Sequence, residues 1–203
     1  MDLKINRKNT YLLNVRVKQD HDSSQGCGLK LKLTRQRQSE TINEILVYGD
    51  DDHKIKQEVG LNNLTCIYYM INLACLTIDF CAPNLESDTI ANCLIGVKQR
   101  NKAKIRICVQ NVKDVCDIEY LAQEGIEVKI IKGKVKMEYE FLLIDADGLN
   151  TNDAVAILGS LDYELGRVNC SRDLTIISSD SQLIATLRCE FDRLWNSSND
   201  TIE

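Results

Sequence analysis

No run of apolar residues in the 203-residue sequence approaches the roughly 18 to 20 that a membrane-spanning helix needs. The opening Met1-Asp2-Leu3-Lys4 also lacks the apolar stretch of a signal peptide, so a soluble, non-secreted, cytoplasmic chain is expected. Proline occurs once and glycine ten times, with no repeating period, which excludes collagen-like and repeat architectures. The nine cysteines, at 27, 66, 75, 81, 93, 108, 116, 170 and 189, include no Cys-x-x-Cys pair and have mostly apolar neighbours. Reduced, buried thiols follow from that pattern, with neither disulfides nor a metal site, and no cofactor is implied.

What is present fits one globular domain with a sizeable core: 44% of residues are hydrophobic and 27% charged. The net charge of -5 is unevenly shared. Residues 1 to 43 hold nine Lys/Arg (4, 7, 8, 16, 18, 30, 32, 35, 37) against four acids (2, 20, 22, 40), giving +5 and leaving -10 for the remainder. Residues 1–42 therefore read as a basic, weakly ordered arm, with RNA or an anionic membrane surface as partners its charge could attract. The arm has no interleaved aromatics to stack on bases.

From Asn43 the pattern becomes regular, and residues 43–203 read as the folded domain. Apolar periodicity predicts strands over Glu44–Gly49, Leu76–Ala82, Lys104–Val109 and Ile126–Ile131. It predicts helices over Val59–Leu73, Ser87–Gln99 and Lys113–Gln123. Such alternation implies crossover connections and a largely parallel sheet with helices on both faces, an α/β fold. Further strands are predicted over Tyr139–Asp145, Ala154–Leu158 and Leu174–Ser178, the first two joined by a hairpin-type connection. Asp180 is expected to cap a last helix, Ser181–Trp195, whose Leu183, Ile184, Leu187, Phe191, Leu194 and Trp195 share one face.

Four segments occur in a telling order: Thr77-Ile-Asp-Phe-Cys81, Lys104-Ile-Arg-Ile-Cys-Val109, Ala122-Gln-Glu-Gly-Ile-Glu-Val-Lys129, and Met137-Glu-Tyr-Glu-Phe-Leu-Leu-Ile-Asp145 leading to Ile157-Leu-Gly-Ser-Leu-Asp162. With the closing Cys189-Glu-Phe-Asp-Arg-Leu-Trp195, they resemble the phospholipase D superfamily, specifically the single-motif branch of mitochondrial cardiolipin hydrolase, called Zucchini in the piRNA pathway. The resemblance covers roughly residues 43 to 197. It implies a single phospholipase D-like domain with a mixed, mostly parallel sheet. It also implies a homodimeric phosphodiesterase in which each subunit supplies one H-x-K-x4-D motif and one G-S-x-N. One His attacks phosphorus, the other protonates the leaving oxygen, and the Lys residues hold phosphate oxygens. Association with a mitochondrial surface or a germ-line granule is implied by the family only.

The sequence departs from that motif at its chemical positions. Glu138 and Glu140 stand where the family has His and Lys, while the closing Asp145 is kept. Gly159 and Ser160 remain, but Asp162 replaces Asn, and the later Glu-Asn pair falls at Arg172-Asp173. The two histidines, His21 and His53, lie elsewhere, and Gly49–Gly60 holds no Cys for the family's metal-binding insertion. Strand spacing puts Glu138 and Glu140 on one face, so a family-type dimer would crowd four carboxylates and two copies of Asp162 together. Two like charges about 4 Å apart at an effective dielectric of about 20 repel by about 4 kcal/mol. Asp145 and Ser160 are expected to persist by hydrogen-bonding turn backbone.

No intact catalytic set is thus expected. The favoured reading is a catalytically degenerate binding or regulatory module, acting as a homodimer or as a heterodimer with an intact paralogue. In such a heterodimer the two glutamates would face a partner's His and Lys. The alternatives are a residual or metal-assisted phosphodiesterase built on the carboxylates, and an RNA-associated module that uses the arm.

Overall fold

Strand residues in the middle of this domain are apolar on both faces because helices cover both. The computed structural model describes residues 41–48, 53–85, 87–110, 118–147, 153–159, 173–197 and 201–202. In chain order the elements are β1 (Asn43–Tyr48), α1 (His53–Asn72), β2 (Thr77–Ala82), α2 (Asp88–Asn101), β3 (Lys104–Val109), α3 (Ile118–Gln123), β4 (Glu127–Ile130), β5 (Phe141–Ile144), β6 (Val155–Gly159), β7 (Asp173–Ser178), α4 (Ser181–Trp195) and β8 (Thr201–Ile202). Residues 1–40 of the basic arm, with the acidic stretch Asp50–Asp52, lie outside the described residues.

The strand order is β1-β7-β6-β5-β2-β3-β4-β8. A mostly parallel sheet is corrected here: β2–β3 and β3–β4 are parallel, whereas β1–β7, β7–β6, β6–β5, β5–β2 and β4–β8 are antiparallel. The physical reason lies in the connections. Only the segments carrying α2 and α3 are helical crossovers between parallel neighbours. The link from β4 to β5 contains no helix, and the chain turns back to lie antiparallel against β2.

Alternation along the strands sorts the core into two layers. On one face Cys81, Cys108, Phe141, Leu143, Ala154 and Ala156 pack under Ile184, Phe191 and Leu194 of α4, with Leu187 and Trp195 at the margin. Ile78, Phe80, Ile105, Ile107 and Leu142 point the other way and are fully buried. There α1 and α2 pack on each other, α1 reaching β1 and α2 reaching β3.

Local chemistry sets the helix limits. Asp180 accepts from the Leu183 amide at 2.8 Å and starts α4 where its apolar period begins. At the other end the buried Lys129 ammonium lies 2.5 Å from the carbonyl oxygens of Trp195 and Ser197, a cation on the negative helix terminus. Ser87 caps α2 through Ile90 N, and Lys102, left-handed at φ 57°, ends it two residues later than periodicity predicts. α1 begins six residues before Val59, because Lys54 to Glu58 are good helix formers that carry no apolar period. His53 is therefore the first residue of that helix.

Candidate functional site

The segment bearing Glu138 and Glu140 sits where the β4–β5 link enters the sheet. β5 begins at Phe141, so Glu138 and Glu140 precede the ladder, and the shared strand face expected for them is corrected. Glu138 is exposed and pairs with the Lys136 ammonium at 3.2 Å. Glu140 is half-buried, with its Oε1 shielded from solvent. Its carbonyl accepts from Gly159 N at 3.3 Å, which joins the start of β5 to the end of β6. Ser160 and Asp162, like Arg172, lie outside the described residues.

Gly159 is a place where only glycine fits. Its φ is +154°, and a Cβ there would stand 2.7 Å from the Leu174 carbonyl and 3.0 Å from Thr175 Cα. Both obstacles are backbone of β7, and the expected cost of Gly159→Ala is about 3 kcal/mol. Chemical denaturation of the variant checks this; a change under about 1 kcal/mol would mean that β7 yields easily.

Asp145 does no visible work at the glutamate pair. It lies at the far end of β5 in the left-handed region, φ 52°. Oδ1 accepts from the amides of Leu76 at 2.7 Å and Thr77 at 3.0 Å, and both carboxylate oxygens accept from Cys75 N at 3.0 and 3.1 Å. Its own amide donates to Thr77 O at 2.9 Å. The kept acid is thus a backbone tie between β5 and the link from α1 to β2, rather than a partner of the local turn.

A second set of groups at the site comes from α4. The Tyr139 hydroxyl donates to Glu190 Oε1, and Arg193 holds both oxygens of Glu190 at 2.7 Å. The Arg193 hydrogen bonds hold the Glu190 carboxyl below the usual range against the upward push of burial, and the Tyr139 bond assists. Burial, with the Glu190 hydrogen bond and charge, pushes the Tyr139 phenol far above its ordinary value, so it stays protonated. Beneath them Cys81 touches Met137, sulfur to sulfur at 3.7 Å. Burial first, then Cys108, Glu190 and Glu140, keep the Cys81 thiol neutral, and burial raises Cys108 to about 12. Neither sulfur is a thiolate nucleophile at neutral pH. Sequence reasoning missed Tyr139, Glu190 and Arg193 as a group. The signal was the three-residue spacing of Glu190 and Arg193 on a helix face, but nothing in the sequence paired them with Tyr139.

Phosphoryl transfer needs a nucleophile, an acid for the leaving oxygen and cations for the phosphate oxygens. Of the cations described here, Arg193 is engaged by Glu190 and Lys136 by Glu138. Among the described residues no group of three or more His, Cys, Asp or Glu is disposed to hold a metal ion.

Comparison with known proteins agrees with this architecture. Residues 67–195 match the family described as "Cardiolipin synthase, PLD-like domain". The chain is 25% identical over 123 residues to a mitochondrial cardiolipin hydrolase of Chlamydomonas reinhardtii, covering 59% of this chain and 52% of that protein. It therefore spans about half the length of that relative. In fold it is similar to Nuc, a phospholipase D family member from Salmonella typhimurium, with a TM-score of 0.61, 11% identity and coverage of 81% and 99% of the two chains. NucT from Helicobacter pylori gives a TM-score of 0.56 at 17% identity, covering 78% and 98%.

Proposed function

The chain belongs to the cardiolipin synthase, phospholipase D-like domain family, and from that membership we propose that it is a non-hydrolytic member which works by associating with a second phospholipase D-like chain. One observation carries the loss of chemistry: both positions at which the family motif places His and Lys are glutamate, at 138 and 140. A phosphodiester anion entering there meets carboxylates, and Lys136 and Arg193 are already paired with acids. Hydrolysis of a chromogenic diester and of single-stranded RNA is expected to be absent.

Association is supported by an exposed apolar surface. Val47 and Leu174 are register partners on β1 and β7, and Ile45 lies one pleat away. Their exposures are 65%, 47% and 63%. Alternation places all three on the sheet face that carries α4, which packs chiefly on β3, β5 and β6. Through Thr175, the register partner of Gly159, the patch adjoins the altered motif. Contiguous apolar surface beside a site is the signature of an interface.

A homodimer brings copies of Glu138 and Glu140 together, and an intact paralogue would instead offer His and Lys to them, replacing repulsion by attraction. Sedimentation velocity of the full chain should show a dimer, alone or with such a paralogue. Val47→Lys with Leu174→Lys should return it to monomer while changing stability by less than about 1 kcal/mol. A wild-type chain that stays monomeric with and without the paralogue would contradict the reading.

A further inference from the structure

Among the described residues the most exposed large apolar side chain is Val135, at 86%. It stands in the sequence Lys132-Gly-Lys-Val-Lys136, and all five residues are exposed. Exposure of a β-branched apolar residue between lysines contributes nothing to the fold, yet the segment is fixed in place. Ile131 and Met137 are buried at its two ends. Gln110 grips it from within: its Nε2 donates to Val135 O at 2.6 Å, and its Oε1 accepts from Met137 N at 2.6 Å. Ile131 N donates to Val109 O at 2.7 Å.

We propose that this loop is a docking element for an anionic phospholipid bilayer, with Val135 entering the interface and Lys132, Lys134 and Lys136 engaging lipid phosphates. The inference is independent of whether the glutamate site hydrolyses anything. The charge is complementary, since residues 131–138 hold three lysines and one acid, Glu138. That acid holds Lys136 only in an exposed pair, with side chains 79% and 74% accessible, and water-exposed pairs of this kind are readily exchanged for another anion. An apolar tip between cations suits the boundary between headgroups and acyl chains. A nucleic acid would be better served by a ring on which bases stack, and the loop has none. Tyr139, just beyond it, already stacks on Phe141 with centroids 6.1 Å apart.

Each lysine near such a surface is worth about fivefold in partitioning, so three are worth about 100-fold. With a net charge of -5 the chain as a whole is repelled by an anionic surface. Binding is therefore expected to be short-range, oriented and weakened by salt.

The test is sedimentation of the full chain with phosphatidylcholine vesicles, with and without phosphatidylserine. Binding should require phosphatidylserine and fall by about 100-fold or more in Lys132→Glu/Lys134→Glu/Lys136→Glu. Val135→Ser should weaken it several-fold with the salt dependence unchanged, and Val135→Trp should show a blue shift in emission on adding the anionic vesicles. Thermal midpoints equal to wild type establish that the variants are folded. Binding that survives the triple substitution would place the contact elsewhere, including on the basic arm, and overturn the proposal. So would an absence of binding to anionic vesicles. Loss of single-stranded RNA binding in the triple variant, with vesicle binding unchanged, would make the loop a nucleic-acid contact and overturn it equally.

Discussion

Asp145→Ala should destabilise the domain by about 3 to 5 kcal/mol, measured by urea unfolding at neutral pH. The carboxylate accepts from three backbone amides, of Cys75, Leu76 and Thr77, 68 to 70 residues away in sequence. Hydrogen bonds to a charged group are worth about 1.5 to 3 kcal/mol each, and amides left without a partner add a desolvation cost. Alanine also fits poorly at φ 52°, which aspartate tolerates better. Asp145→Asn keeps the backbone preference but presents the amides with one weaker acceptor and a donor, so its loss should be intermediate. A change under about 1 kcal/mol for the alanine variant would show that water replaces the carboxylate. A loss of the expected size would give this acid a folding role that is independent of any chemistry at the glutamates.

Arg106→Met is the other large effect expected, at about 3 to 5 kcal/mol near neutral pH, because it strands a charge in the core. Asp79 and Arg106 are register partners in the parallel ladder between β2 and β3, and the guanidinium holds both oxygens of Asp79 at 2.7 Å. Asp79 is 2% exposed. Over the guanidinium lie the stacked rings of Phe191 and Trp195, with centroids 4.8 and 5.3 Å away, and Asp192 approaches at 3.6 Å. From Asp192 the ion pairs run on through Arg188 to Asp147. Burial pulls Arg106 down, but the Asp79 hydrogen bond and the surrounding acids more than reverse this, so it stays cationic.

For Asp79, burial outweighs the downward pull of Arg106, and its carboxyl lies above the ordinary range. Folding therefore favours its protonated form. The stability it contributes is complete below the ordinary carboxylate value and declines as pH rises through the raised one. Removing Arg106 takes away the downward pull and moves the carboxyl higher still. The deficit of Arg106→Met should accordingly be small in acid and grow toward neutral pH. Unfolding curves at several pH values decide this, and a deficit independent of pH would assign the loss to packing against Phe191 and Trp195.

The elements that were legible in the sequence are those whose pattern and function coincide. The limits of α4 follow from Asp180 and an uninterrupted apolar face, and β3 follows from Lys104-Ile-Arg-Ile-Cys-Val109. The family was legible in an ordered series of segments rather than in any one of them. Strand direction was not, since it depends on whether the link before β5 holds a helix, and a polar stretch of lysines and glycine leaves that undecided. β8 escaped notice because two residues carry no alternation. At the site, the glutamates at 138 and 140 were plain, but their surroundings were not. Pairing of Glu138 with Lys136 and of Glu190 with Tyr139 depends on how a loop and a distant helix meet. The cluster of acids expected from residue types is therefore partly neutralised, with Glu138 paired to Lys136 and Glu190 to Arg193.

Side chains change more readily than the backbone that carries them, and the site shows it. Gly159 and Asp145 stand where the backbone needs a close approach and a carboxylate acceptor, whereas Glu138 meets no such backbone demand on its side chain. The measurement that tests loss of chemistry most directly is cleavage of a chromogenic phosphodiester and of single-stranded RNA by the full chain, with and without divalent cations, beside Glu138→Ala. The account predicts no cleavage above the uncatalysed rate under any of these conditions. Cleavage by the natural chain that disappears in Glu138→Ala would contradict it and make this a carboxylate-based phosphodiesterase.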